Sequence, residues 1–184
     1  MEKKPHFRRD LVRMYPQRKQ WVLRDEERQR FHLHLISTQC RRESLKILDV
    51  GGHVGPFGPW AAMHGHQVTV LDDFGDDKNA RTQNAVLNPE YTTIISDVHS
   101  VLGVQTIKHD LGDGKLPLGG KQFDVLTCFQ VIEHLHGGVR SLMHEFTRVL
   151  KPGGLVVISG PNAVNLRKRI TVACGVNNFS RFSD

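Results

Sequence analysis

The chain lacks any cysteine pairing: Cys40, Cys128 and Cys174 are odd in number, far apart and free of C-x-x-C spacing. That excludes a disulfide framework and a zinc knuckle, and it fits reduced thiols in a cytoplasm. No apolar run approaches the roughly 18 residues needed to span a bilayer. The opening residues MEKKPHFRRD also lack the apolar stretch of a secretory signal. Internal repeats and low-complexity tracts are missing too. What remains is ordinary globular usage, with 184 residues, 39% hydrophobic and 24% charged, which predicts one domain with a continuous core.

Net charge is +6, and its distribution is uneven. Residues 1 to 30 hold ten Lys/Arg against five Asp/Glu, residues 31 to 160 hold eleven against thirteen, and residues 161 to 184 hold four against one. A basic end can attract nucleic acid, anionic lipid or an acidic substrate. Here Arg8, Arg9, Arg13, Arg18, Lys19 and Arg24 are interleaved with Asp10, Asp25, Glu26 and Glu27, which reads as a solvated helical face. Residues 1–44 therefore form a basic helical segment ahead of a domain over 45–184. Residues 17 to 38 are expected to be helical, with Trp21, Val22, Phe31, Leu33, Leu35 and Ile36 as apolar positions.

From Lys46 onward, short apolar runs alternate with glycine turns and amphipathic stretches. KILDV (46–50), QVTVL (67–71), VQTIKH (104–109), FDVLTC (123–128) and LVVIS (155–159) lack strict alternation, as strands buried on both faces do. Helices are expected over 56–65, much of 77–102 and 138–150, the last closed by KPGG. The alternation predicts a three-layer α/β sandwich of the Rossmann-like kind with a mainly parallel sheet. Ligands in such sheets bind at the carboxyl ends of the strands.

Those ends carry polar residues. After the first strand come Asp49, Val50, Gly51, Gly52, His53, Val54 and Gly55, a turn that lets backbone approach a ligand and aims N–H groups at an anion. Asp72 and Asp73 end the second strand, about twenty residues beyond Gly51, the spacing at which a carboxylate accepts hydrogen bonds from ribose hydroxyls. Asp110 closes the third. Each carboxylate alone could also be a cap or turn former.

Taken in order, ILDVGGHVG, VTVLDD, HDL, FDVLTCFQVIEHL and RVLKPGGLVVISGPN resemble the motifs of class I S-adenosylmethionine-dependent methyltransferases over about residues 45 to 170. By that resemblance, Asp49, Gly51, Gly52 and Gly55 line the methionine part of the cofactor, Asp72 holds the ribose, and Asp73 lies beside it near the adenosine. Asp110 and Leu111 face the adenine, and Phe129 and Gln130 close the site near the amino and sulfonium groups. His53 departs from the family's glycine. It can narrow the backbone's approach to the cofactor or, protonated, favour its carboxylate.

Glu133 and His134 in VIEHL are candidate catalytic residues. Methyl transfer to a hydroxyl requires alignment and removal of a proton, which a histidine titrating near neutrality can perform, with Glu133 orienting. Both residues could equally begin a helix. The segment also resembles the E-x-x-E-H metal stretch of small-RNA 2′-O-methyltransferases, but Gln130 replaces the first Glu and removes a hard anionic ligand, so no metal is assigned. His64, His66, His32 and His34 read as polar surface positions.

The family's usual two further strands have no room in VNNFSRFSD after the last predicted helix, so five strands are expected, with an open edge on which copies could associate. The expected function is methylation of a hydroxyl on a small molecule, quinone or glycan, with no nucleic-acid partner. One rival is a non-catalytic cofactor-binding module. Another is a nicotinamide-dependent oxidoreductase, disfavoured because His53 breaks the G-x-G-x-x-G spacing. Binding of S-adenosylmethionine, S-adenosylhomocysteine and NAD separates these readings.

Overall fold

The computed structural model describes residues 19–52, 55–74, 97–135, 138–162 and 166–175. Its elements are α1 (Lys19–Gln39), β1 (Lys46–Val50), α2 (Phe57–Met63), β2 (Gln67–Asp72), β3 (Gln105–Lys108), β4 (Phe123–Phe129), α3 (Val139–Val149), β5 (Leu150–Ser159) and α4 (Leu166–Ala173). A short 3-10 turn, Ile132–His134, follows β4. All five strands run parallel in the order β3-β2-β1-β4-β5. β1 lies in the middle, flanked by β2 and β4, so the chain reverses its direction of sheet growth there. The crevice of such a sheet opens at that point.

Successive side chains alternate between the two faces, and the alternation builds two cores. On one face Ile47, Val68, Val70, Val125 and Val157 pack with Leu33 and Ile36 of α1 and Phe57, Trp60 and Ala61 of α2. On the other, Leu48, Val50, Leu71, Leu126 and Cys128 pack with Leu142, Phe146 and Val149 of α3. Burial of a Leu or Phe side chain contributes about 1.5–3 kcal/mol, so these two layers are the main source of stability.

Three expectations change in detail. Among the described side chains of α1, Gln29, His32, Leu33 and Ile36 are buried, while Phe31 is 62% exposed; the side chains of Trp21 and Val22 lie outside the described residues. These four keep helical spacing but two of them are polar, so apolar pattern alone cannot find them. α3 does end at Val149, just ahead of KPGG as expected, but KPGG itself lies in β5, which was expected only over 155–159. Leu150 turns to extended geometry after Val149, and residues 151–154 are already strand, with a register irregularity opposite Phe123 and Val125. The third strand is shorter than its apolar run. Of the helix expected over 77–102, residues 97–101 are helical and 77–96 lie outside the described residues.

At the amino ends of the strands, Asp124 gathers three partners. Its carboxylate accepts from Arg42 at 2.7 Å, the Lys46 N–H at 2.9 Å and Lys151 at 2.9 Å. Burial pushes this carboxyl up, but those donors outweigh it and hold the pKa below the usual range.

Candidate cofactor site

The carboxyl ends of β1, β2 and β4 bring most of the expected residues to one place. Asp49, Asp72, Thr127 and Phe129 share the sheet face that packs on α1 and α2, because strand alternation puts odd residues of β1 and β4 beside even residues of β2. Asp49 and Thr127 are paired across the two strands. The Thr127 hydroxyl donates to Asp49 Oδ1 at 2.6 Å. Asp49 is only 2% exposed. Burial pushes its carboxyl up to about 7, a rise that the Thr127 hydrogen bond opposes and the neighbouring Asp72 reinforces.

Thr127 carries no spacing signature and was not singled out by motif. The available signal is its polarity inside an otherwise apolar strand.

The turn after β1 is built for glycine. Gly51 adopts φ +70°, and its N–H donates to Leu71 O at 2.8 Å. A side chain there would run into Val131; one on Gly52 would run into Asp49 Oδ2. Gly55 N–H donates to Gly52 O at 2.7 Å, and Pro56 leads into α2. His53 lies outside the described residues.

Asp72, at the end of β2, is 7% exposed, and its Oδ1 accepts the Phe74 N–H at 2.7 Å. Asp73 is half-buried. Asp110 is exposed and accepts the Gly112 N–H at 2.8 Å. Both carboxylates therefore shape the turns they open. Leu111 is buried in the α3-side core.

Phe129 ends β4 with its ring against His32 of α1, centroids 3.9 Å apart and 14° from coplanar, and against the edge of Phe57 at 5.1 Å. The reading of His32 as a polar surface position is thus corrected: it is 4% exposed, because its ring covers Phe129. His34, two residues on, is exposed. His64 caps α2 from a half-buried position, with Nδ1 2.9 Å from Trp60 O, and His66 is half-buried too. Gln130 takes the left-handed conformation, φ +59°, with its N–H donating to Ser159 O at 2.8 Å.

Glu133 is half-buried and His134 exposed, both in the 3-10 turn. Burial, aided by the charges of Asp49 and Glu133, pushes the Cys128 thiol, on the α3-side face of β4, up to about 12. Among the described residues, no three His, Cys, Asp or Glu side chains come together as metal ligands. Among them, too, no helix is long and apolar enough to cross a membrane.

A family model described as "Methyltransferase domain" matches residues 24–178. The chain belongs to this family. Its cofactor is S-adenosylmethionine, and the residues present suit it. The Gly51–Gly52 turn leaves no room for side chains, and the buried Asp49 carboxyl is of the kind that a neighbouring ammonium returns to its ionised form.

Ubiquinone biosynthesis O-methyltransferases of Rickettsia bellii and Klebsiella pneumoniae are 27% and 29% identical over 118 and 117 residues, 64% of this chain in each case. The matches cover 42% and 43% of those relatives, so the chain spans under half their length. A structure from Pyrococcus horikoshii aligns over 91% of this chain and 68% of its own, with TM-score 0.61 and 18% identity. Coclaurine N-methyltransferase, solved with N-methylheliamine and S-adenosylhomocysteine, aligns over 71% of this chain and 35% of its own, with TM-score 0.50 and 13% identity. At these identities the likeness is one of fold.

Proposed function

We propose that this chain transfers the methyl group of S-adenosylmethionine to a hydroxyl of a small, quinone-related acceptor. The observation that carries the reading is the convergence of the Gly51 turn, buried Asp49 and Asp72 at adjoining strand ends, within a domain of this family. The quinone-related acceptor is supported by the two curated relatives named above.

The cofactor supplies a methyl group made electrophilic by its sulfonium. The chain's work is then to hold, align and deprotonate. Asp72 would accept from the ribose hydroxyls, Asp73 would lie beside it, and Asp110 with the Leu111 backbone would border the adenine. Asp49, Gly51, Gly52, His53 and Gly55 would flank the methionine portion, and Phe129 and Gln130 would close the cleft. His134 would take the acceptor's proton, with Glu133 orienting it. The exposed position of His134 favours a second reading, a cofactor-binding module without catalysis.

We also propose that copies associate along β5, an edge strand of the sheet among the described residues, where Val156 and Ile158 are 37% and 42% exposed.

Calorimetric titration with S-adenosylmethionine, S-adenosylhomocysteine and NAD tests the cofactor half. Saturable binding of NAD with neither sulfur nucleoside bound refutes it. Asp72→Ala should weaken binding about tenfold or more through loss of charge-assisted hydrogen bonds. Transfer of labelled methyl groups to a panel of catechols tests catalysis, and a chain that binds the cofactor but methylates none supports the module reading.

A further inference from the structure

We infer that His32 is a positioning residue for the cofactor cleft, acting from α1 on the corner where the chain leaves β4. The inference rests on the proposed placement of S-adenosylmethionine at the carboxyl ends of β1 and β4. It concerns a helix that precedes every motif of the site.

The corner is made of three consecutive residues, each held by a different element. Phe129 lies with one face on His32, at 3.9 Å and 14°, and meets the edge of Phe57 at 5.1 Å and 88°. Gln130 is held in a left-handed conformation that non-glycine residues adopt only when their surroundings enforce it. Its N–H is tied to Ser159 O of β5 at 2.8 Å. Val131 stands so close over Gly51 that no side chain fits there. The two lips of the cleft, the glycine turn and the β4 exit, therefore touch each other directly at Val131.

Phe57 is the first residue of α2, which leaves the glycine turn, so the Phe129 ring also ties the β4 exit to the element that follows the other lip. His32 is the side chain that α1 lays on this ring, and it is almost wholly buried in doing so. Its neighbour Leu33 is buried to a similar degree, in the core on the same side of the sheet, which also holds Phe57 and Trp60 and against which Phe129 packs. What distinguishes the two is the ring contact: His32 stacks on Phe129, whereas Leu33 joins the same core without one and so serves as the control for α1 packing alone.

The test compares the full chain with His32→Ala, His32→Phe and Leu33→Ala by two readouts. The first is hydrogen exchange of the Gln130 amide without ligand, and the second is calorimetric affinity for S-adenosylhomocysteine. With His32→Ala the amide should exchange several-fold faster, and the dissociation constant should rise about 2- to 10-fold, the range set by one aromatic pair. His32→Phe keeps a flat ring and should restore both to within about twofold, while Leu33→Ala lowers the melting temperature but leaves both unchanged. Equal changes in Leu33→Ala, or no rescue by His32→Phe, overturn the inference. If the exchange pattern holds but S-adenosylhomocysteine does not bind, the His32 clamp stands and the cofactor placement falls.

Discussion

Replacing Asp49 by Asn should make the ligand-free protein more stable at neutral pH, though the substitution falls at the centre of the site. The wild-type carboxyl is buried, and its pKa is raised from 3.8 to about 7. A group whose folded pKa lies above its unfolded value contributes stability that is fully present below the unfolded pKa and lost as pH rises through the folded one. Here the window runs from about pH 4 to about pH 7, and the full loss is about 4 kcal/mol. Asn has the same shape, cannot ionise, and presents an oxygen that can still accept the Thr127 hydroxyl.

Subtracting the wild-type stability from that of Asp49→Asn cancels the titrating groups that do not interact with Asp49. Urea unfolding at half-unit steps from pH 4 to pH 8 should give a difference that climbs by up to about 1.4 kcal/mol per pH unit and then levels. A flat difference across this range would show that Asp49 is ionised in the folded protein without penalty, and the picture of a poised buried acid would be wrong. With saturating S-adenosylhomocysteine the advantage of Asn should shrink or reverse, because the ligand's amine would favour the carboxylate.

His99 works in the opposite sense. It is 2% exposed, with Nδ1 3.1 Å from the Thr106 hydroxyl, and burial lowers its pKa to about 4. Stability should therefore fall by up to about 3 kcal/mol as pH drops from about 6.5 to about 4, and His99→Gln should lose that acid limb in the same unfolding experiment. Gly52→Ala, which drives a methyl into the Asp49 carboxyl, should cost about 1–3 kcal/mol in thermal or urea unfolding and remove measurable cofactor binding. Ile158→Lys on the β5 edge should leave secondary structure intact and shift sedimentation toward monomer; an unchanged distribution would place any association elsewhere.

Legibility differed between elements for physical reasons. The central strands β1, β2 and β4 were visible because strands covered on both faces need unbroken apolar runs, whereas the edge strands β3 and β5 are partly exposed and their bounds differ more from those expected. The placing of Asp49 and Asp72 together near the carboxyl ends of adjoining strands was visible because a carboxylate stands out against a short apolar run. Thr127 was hidden because its role depends on register with a strand far away in sequence. His32 was hidden because a histidine on a charged helix looks solvated until the ring it covers is known. KPGG reads as a helix stop, yet the chain turns straight into β5 there, since Gly153 accommodates φ +75° and the bulge absorbs the proline.

The long-range packing of α1 has a consequence for biosynthesis. The helix emerges before its partners: the strand it packs on is β5 and the ring that His32 covers is Phe129, both about a hundred residues later in the chain. Throughout that interval a stripe containing Leu33 and Ile36 lacks its final partners, and Glu26, Glu27, Arg28 and Arg30 precede it in the same helix. Interspersed charge of this kind opposes association of an uncovered apolar stripe.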